Sequence, residues 1–290
     1  MSTPYSHELT PLPAPMVEKL VADALAEDWG RNGDVTSKAV IPATATAHAV
    51  IRARENGVLA GMDLAEAAFS AEQSGLTFTR HKADGDALRA ADDVATITGP
   101  ARALLARERV ALNYLGHLSG IASKTAGLVQ KVGHVKAQIC DTRKTTPGLR
   151  AAEKFAVCAG GGANHRFGLH DAILIKDNHI AVAGGITAAL HGAQETAGDR
   201  LAIEIEVDTL AQLEEALGAG AKIILLDNMT PDQLAEAVAL TAGRAVLEAS
   251  GRVSEETVVA IAESGVDYIS VGAITHSAPT LDLGLDIDIS

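Results

Sequence analysis

From Ala202 onward the sequence repeats one unit: a short apolar run, then an amphipathic stretch. The runs Ala202–Val207, Lys222–Leu226, Arg244–Glu248 and Tyr268–Val271 begin roughly 20 to 24 residues apart. That spacing is one strand plus one helix with short loops. The intervening stretches Leu210–Leu217, Pro231–Leu240 (Pro in the first turn) and Ser254–Glu263 carry helical patterns. Two earlier runs, Val135–Cys140 and Ala172–Lys176, read as strands of the same kind. Repeated βα units need parallel strands joined by right-handed crossovers. Six such strands, with room for one or two more, predict a closed or nearly closed α/β barrel; the runner-up is an open doubly wound sheet.

The first third has no such rhythm. Val17–Trp29 and Asp63–Ser70 read as helices, and Ala45–Ile51, Gly57–Gly61, Leu76–His81 and Val94–Gly99 as strands, the mixture of an α+β sandwich. Residues 1–16 are Pro-rich and read as a loosely ordered arm, and Arg31–Asp34 as a turn ending in an acid. Ala101–Val129 is a long helical region, expected to break or kink near Gly116–Gly120 and to bridge two domains. The division expected is 1–117 for the sandwich and 118–276 for the barrel, with the tail 277–290 packing back on the first domain.

Composition narrows the function. The chain has 290 residues, a formal net charge of −13 and only 3% aromatic residues. An acidic, aromatic-poor surface is unsuited to nucleic acid. No apolar run is long enough for a membrane span, and the N-terminus lacks a charged region followed by an apolar one. Cys140 and Cys158 are far apart and read as reduced. These features predict a soluble cytoplasmic protein.

Against the acidic background, Cys140–His179 is a basic island rich in glycine, with Arg143, Lys144, Arg150, Lys154, Arg166, Lys176 and three histidines. It predicts a pocket for a small polyanion. Polar residues also follow each barrel strand: Asp141, Arg143 and Lys144; Lys176 and Asp177; Glu206 and Asp208; Asp227 and Asn228; Ser250 and Gly251; Gly272. Loops after the strands build the active sites of α/β barrels. Arg143 and Lys144 suit a carboxylate or phosphate, or a salt bridge to Asp141. Gly160–Gly162 either end a helix or let backbone approach a ligand near His165 and Arg166; the spacing of His165 and His170 does not suit zinc. Lys176 could hold an anion, snorkel, or form a Schiff base as an aldolase lysine does. Glu206 and Asp227 could hold Mg²⁺, stabilise a sugar cation, or balance the cations. Ser250, Gly251 and Gly272 suit a phosphate, aided by the helix starting near Ser254, or a plain turn.

Laid out in this order, RERVALNYLGHLSGIAS, DTRKTTPGLR, EKFAVCAGGGANHRFGLHDAILIKDNHI, IEIEVDTLAQLEEAL, IILLDNMTP, LEASGRVS and DYISVGAITHSAPTLDLGLDI resemble the quinolinate phosphoribosyltransferase family, and GDVTSKAVIP and ENGVLAG in the first third look similar too. The resemblance implies an N-terminal α/β sandwich, an incomplete barrel of about seven strands, a homodimer sharing its active sites, and Mg²⁺. It implies that quinolinate and phosphoribosyl pyrophosphate give nicotinate mononucleotide, pyrophosphate and carbon dioxide, a step of NAD biosynthesis. By position, Arg143, His165, Arg166 and Lys176 would surround the quinolinate carboxylates, with Arg109 from the neighbouring subunit. Lys144 would lie near phosphoribosyl pyrophosphate, Thr142 would be a further substrate-binding residue, and Glu206 and Asp227 would face the ribose and the metal. Ser250, Gly251, Arg252, Val271, Gly272 and Ala273 would hold the 5′-phosphate. The catalytic set would be Lys144, Lys176, Glu206 and Asp227. Arg252 departs from the small or neutral residue expected there. The alternatives are an aldolase using Lys176, a phosphoribosyltransferase acting on another aromatic acid, and a binding or regulatory barrel.

Overall fold

The computed structural model describes residues 4–198 and 200–289. The chain forms two compact units that interleave in sequence. One comprises Leu9–Lys124, Ala151–Gly161 and the segment from Ala278; the other comprises the segment up to Glu8, Thr125–Arg150 and Gly162–Ser277. The boundary expected at 117/118 therefore falls a few residues later, and residues 151–161 group with the first unit.

In the first unit, α1 (Ala14–Trp29) starts with a proline in its first turn and buries Val17, Val21 and Leu25, an i, i+4 stripe. Of the arm 1–16 expected to be loosely ordered, residues 14–16 lie in this helix, while Tyr5 is buried and Ser6 bridges Asn164. The short α2 (Val35–Val40) is capped by Asp34, whose side chain accepts from the Ser37 N–H at 2.9 Å. Next come β1 (Thr46–Ala53), β2 (Gly57–Val58), α3 (Met62–Ser70), β3 (Thr77–Arg80), β4 (Ala87–Leu88) and β5 (Asp93–Pro100). In β1 the alternate residues Ala47, Ala49, Ile51 and Ala53 are buried, as the sequence alternation requires.

The helix α4 (Ala101–Val132) runs without the break expected at Gly116–Gly120. These glycines make room instead. A Cβ at Gly116 would lie 2.7 Å from Thr280 Cγ2, and one at Gly120 would overlap the Pro279 carbonyl. The absence of side chains there lets the segment before the last strand pass against the helix, where the Leu281 N–H donates to the Gly116 carbonyl at 3.0 Å.

The second unit contains β6 (Gln138–Cys140), then α5 (Arg150–Ala159, which groups mainly with the first unit), β7 (Ala172–Ile175), α6 (Asp177–Ala183), α7 (Ile186–Ala197), β8 (Ala202–Val207), α8 (Leu210–Gly218), β9 (Ile223–Asp227), α9 (Pro231–Thr241), β10 (Val246–Ser250), α10 (Val258–Glu263), β11 (Tyr268–Ser270) and α11 (Ala273–His276). α8 and α9 open with Thr209 and Thr230 capping boxes. α10 begins four residues after the expected Ser254 and has only six residues, so its start is not a phosphate site of its own. Among the described residues, six parallel strands form one sheet in the order β6-β11-β10-β9-β8-β7, an incomplete α/β barrel. Between its two edge strands, Ala163 bridges Cys140 of β6, and Asn164 bridges Ser6 of the N-terminal segment.

The last strand, β12 (Leu283–Ile289), returns to the first unit and pairs antiparallel with β1, giving a four-stranded sheet β12-β1-β5-β3 beside the two-stranded β2-β4.

The strand period of two sorts the barrel interior into layers. The first residues of five successive strands, Ala172, Ala202, Ile223, Val246 and Tyr268, pack with Tyr5 and Cys140 as an apolar floor. Two residues on come Leu174, Glu204, Leu225, Glu248 and Ser270. Two further on come Lys176, Glu206, Asp227, Ser250 and Gly272, at the C-terminal ends of the strands.

Candidate active site

A cavity of about 740 Å³ opens at the C-terminal ends of the barrel strands. Its lining comes wholly from the barrel unit. Of the residues the sequence singles out, Thr142, Arg143, Lys144, His165, Arg166, Lys176, Glu206, Asp227, Ser250, Gly251, Arg252, Val271, Gly272 and Ala273 all line it. Arg109 does not: it is exposed on α4, in the other unit. Within the basic island, Lys154 is buried on α5, and Arg150 spans Thr145 Oγ1 and the Phe167 carbonyl. Neither lines the cavity, nor do His170 and His179.

The loop after β6 supplies Thr142, Arg143 and Lys144. Thr142 Oγ1 accepts from the Lys144 N–H at 3.0 Å, and the Lys144 carbonyl accepts from Thr275 Oγ1 at 2.7 Å. Asp141, fully buried, accepts from the backbone N–H of His165 at 2.8 Å. It therefore anchors the neighbouring loop. Arg143 is exposed and Arg166 is buried, and both face the cavity. Burial, and then the charge of Arg143, pull the Arg166 guanidinium below its ordinary range. Its Nη1 donates to the Ala172 carbonyl at 3.0 Å, while its buried Nε has no hydrogen-bond partner among the described residues. The residue nonetheless lines the cavity beside a second cation, a setting suited to an anion.

Lys176 caps α6, and its ammonium forms a close ion pair with Glu206. An amine held this way is not presented as a nucleophile, which counts against the Schiff-base alternative. Glu206 and Asp227 end adjacent strands. Asp227 accepts from Asn228 Nδ2 at 2.6 Å, and the Asn228 N–H donates to the Ser250 carbonyl at 2.9 Å. Two carboxylates at one mouth are hard oxygen donors of the kind Mg²⁺ takes while keeping several waters, so these residues fit that ion. At the end of the neighbouring strand β10, Gly251 has φ +93° and Arg252 φ +51°. Gly272 lies against Lys144, whose Cδ would be 3.0 Å from an added Cβ.

Sequence reasoning missed one layer. Glu204 and Glu248, 2% and 1% exposed, lie beneath the mouth with His165 and Tyr5. Burial pushes Glu204 up to about 7. Burial, together with the charge of Glu204, pushes Glu248 up to about 7 as well. The available clue was the period of two: Glu204 precedes Glu206 by two residues, and Glu248 precedes Ser250 by two.

Two family profiles match the chain: "Quinolinate phosphoribosyl transferase, C-terminal domain" over residues 121–286, and its N-terminal counterpart over residues 34–119. A curated protein of Bacillus subtilis, "Probable nicotinate-nucleotide pyrophosphorylase [carboxylating]", is 44% identical over 274 residues, covering 94% of each chain. A Nicotiana glauca protein, "Quinolinate phosphoribosyltransferase [decarboxylating] 1", is 41% identical over 283 residues, covering 91% of this chain and 80% of that one. The solved nicotinate-nucleotide pyrophosphorylase of Francisella tularensis superposes with a TM-score of 0.93 at 38% identity, covering 97% of this chain and 99% of that one. With both profiles in place and relatives aligned along nearly its whole length, the chain belongs to the quinolinate phosphoribosyltransferase family.

Proposed function

We propose that the protein transfers the phosphoribosyl group of phosphoribosyl pyrophosphate to quinolinate, with loss of carbon dioxide, giving nicotinate mononucleotide for NAD synthesis. The observation that carries this reading is the convergence of Arg143, Arg166 and Lys176 with Glu206 and Asp227 in one strand-end cavity. A diacid beside a sugar phosphate and a pyrophosphate needs several cations in a water-poor mouth, where each acts strongly.

Arg143, Arg166 and Lys176 grip the two carboxylates and set the pyridine nitrogen toward the anomeric carbon. Lys144 and Thr142 take the pyrophosphate side. Ser250, Gly251, Arg252, Val271, Gly272 and Ala273 receive the 5′-phosphate through side chains and backbone N–H groups. As the C–O bond to pyrophosphate breaks, Glu206 and Asp227 face the positive charge that develops on the ribose. After the ring nitrogen is ribosylated, the bond to the neighbouring carboxylate breaks. Its electron pair stays on the ring carbon beside the cationic nitrogen and then takes a proton from water, so no lysine adduct is needed. Mg²⁺, held by Glu206 and Asp227 directly or through water, would neutralise pyrophosphate charge.

The reading includes a homodimer in which Arg109 of one subunit completes the other's mouth. The exposed Arg109 and the apolar, exposed Phe167, Leu169 and Val182 support a contact between copies. Action in the cytoplasm goes with it, supported by two widely spaced cysteines that make no disulfide framework. No helix among the described residues is long and apolar enough to cross a membrane. The test is direct: folded protein with quinolinate, phosphoribosyl pyrophosphate and Mg²⁺ should release carbon dioxide and nicotinate mononucleotide in equal amounts. No turnover removes the proposal.

A further inference from the structure

We propose that Tyr5, Glu204 and Glu248 are positioning residues that hold His165 as the Nε2–H tautomer with both ring nitrogens used inside the protein, so that His165 fixes Arg166 and does not itself bind the diacid. The argument is one of donors and acceptors. The backbone N–H of Arg166 can only donate, and it meets His165 Nδ1 at 2.6 Å. Nδ1 must therefore carry the lone pair, and the ring proton is on Nε2. Nε2 lies 2.9 Å from Glu204 Oε2 and 3.4 Å from Glu248 Oε2, so it donates to the buried carboxyl pair. Tyr5 Oη donates to the same Glu248 oxygen at 2.7 Å and lies 3.4 Å from Glu204 Oε1.

Tyr5 is fixed independently of these bonds. Its ring stacks on Tyr268 with centroids 3.6 Å apart and meets the His165 ring edge-on at 5.5 Å. The adjacent Ser6 exchanges both backbone hydrogen bonds with Asn164, the residue before His165, at 2.9 and 2.7 Å. The N-terminal segment thus holds the His165–Arg166 backbone from the chain side while its phenol holds the ring from below. Arg166 is left with a buried Nε that lacks a partner among the described residues, in a guanidinium that faces the cavity. His165 has no nitrogen to spare for a ligand. The inference rests on the diacid reading above for its consequence, but the tautomer itself does not.

The test uses the full-length protein labelled with ¹⁵N-histidine, the His165 signals being assigned by their loss in His165→Asn. The expected spectrum shows Nε2 protonated and Nδ1 bare, and it stays so when quinolinate saturates the site. A protonated Nδ1, or a ring nitrogen that changes its hydrogen-bonding state on binding, overturns the proposal. In kinetics, Tyr5→Phe keeps the ring and its stacking and loses one buried hydrogen bond. It should raise the KM for quinolinate roughly two- to tenfold while moving the KM for phosphoribosyl pyrophosphate less than twofold. Unchanged KM for quinolinate, or equal rises in both, would also overturn it. The spectrum of unmodified protein decides the matter if a variant fails to fold. A protein that shows the expected tautomer but makes no nicotinate mononucleotide would refute the functional reading and leave the network standing.

Discussion

Gly251→Ala is the most informative single change in the mouth. Gly251 has φ +93°, where an L-residue is strained by about 1–3 kcal/mol. A methyl group there would overlap Asn228 Oδ1 and lie 2.7 Å from Asn228 Cγ and 2.9 Å from its backbone nitrogen. Asn228 cannot simply yield. Its N–H is bonded to the Ser250 carbonyl, and its Nδ2 to Asp227. Displacing it breaks at least one of these bonds, each worth about 1 kcal/mol. Together the substitution imposes about 2–4 kcal/mol on the loop as it stands. The loop is exposed at its tip and can relieve part of this by moving, so the cost falls on the phosphate site. At 1.4 kcal/mol per tenfold, the KM for phosphoribosyl pyrophosphate should rise about ten- to several hundredfold, with the KM for quinolinate changed little. Gly272→Ala is the internal control. Its backbone is in the ordinary helical region, and the nearest obstruction is the flexible Lys144 side chain, so its effect should be several-fold smaller. Initial rates at varied phosphoribosyl pyrophosphate, with a thermal melt for each variant, read the outcome. A Gly251→Ala enzyme within twofold of wild type in that KM, with unchanged melting temperature, would refute the steric reasoning.

Arg143→Ala should weaken quinolinate by at least tenfold more than phosphoribosyl pyrophosphate, because it removes a cation from the diacid side; equal loss of both, measured as separate KM values, would mean the role is misassigned. Mixing inactive Arg109→Ala and Lys176→Ala proteins should restore activity, approaching a quarter of wild type if subunits exchange at random and mixed dimers retain one intact site; no recovery in a mixture shown to have exchanged subunits would refute a shared site. Glu248→Gln tests the buried carboxyl. Its folded-state pKa, about 7, lies above the ordinary 4.5, so between these values the unfolded chain gives up its proton first and native stability falls as pH rises, by up to about 1.4 kcal/mol per pH unit. Glutamine cannot ionise, so the melting temperature of the variant relative to wild type should climb between pH 5 and pH 7; a constant difference would refute the assignment.

How much of this was readable beforehand depended on where a residue falls along its strand. Lys176, Glu206, Asp227, Ser250 and Gly272 announce themselves, because each interrupts an apolar run at the point where a βα loop begins. Glu204 and Glu248 lie inside their runs, where an acid in an alternating pattern reads equally well as a solvent-facing position. Only closure of the sheet turns that face inward. Tyr5 gave no local sign at all, since its partners are supplied by strands far along the chain. The glycines of α4 misled for a related reason. Gly116 and Gly120 look like breaks when helix propensity is judged alone, and their use becomes visible only with residues 279–281 laid against them. Arg109 is the opposite case: family resemblance names it, and the single chain gives it nothing to touch in the cavity.

The bond between Tyr5 and Glu248 spans 243 positions of sequence. Tyr5 therefore waits for a partner made 243 residues after it, and the loop their meeting closes is a long one. A nascent chain arrested before β10 lacks the nearer carboxyl and offers the phenol only Glu204, at 3.4 Å, so the barrel interior should stay hydrated and exchange its amide protons freely until β10 has been made. Sealing of the barrel core thereby waits for β10, whereas β1, β3 and β5 of the first sheet can pair before it and their partner β12 joins them later still.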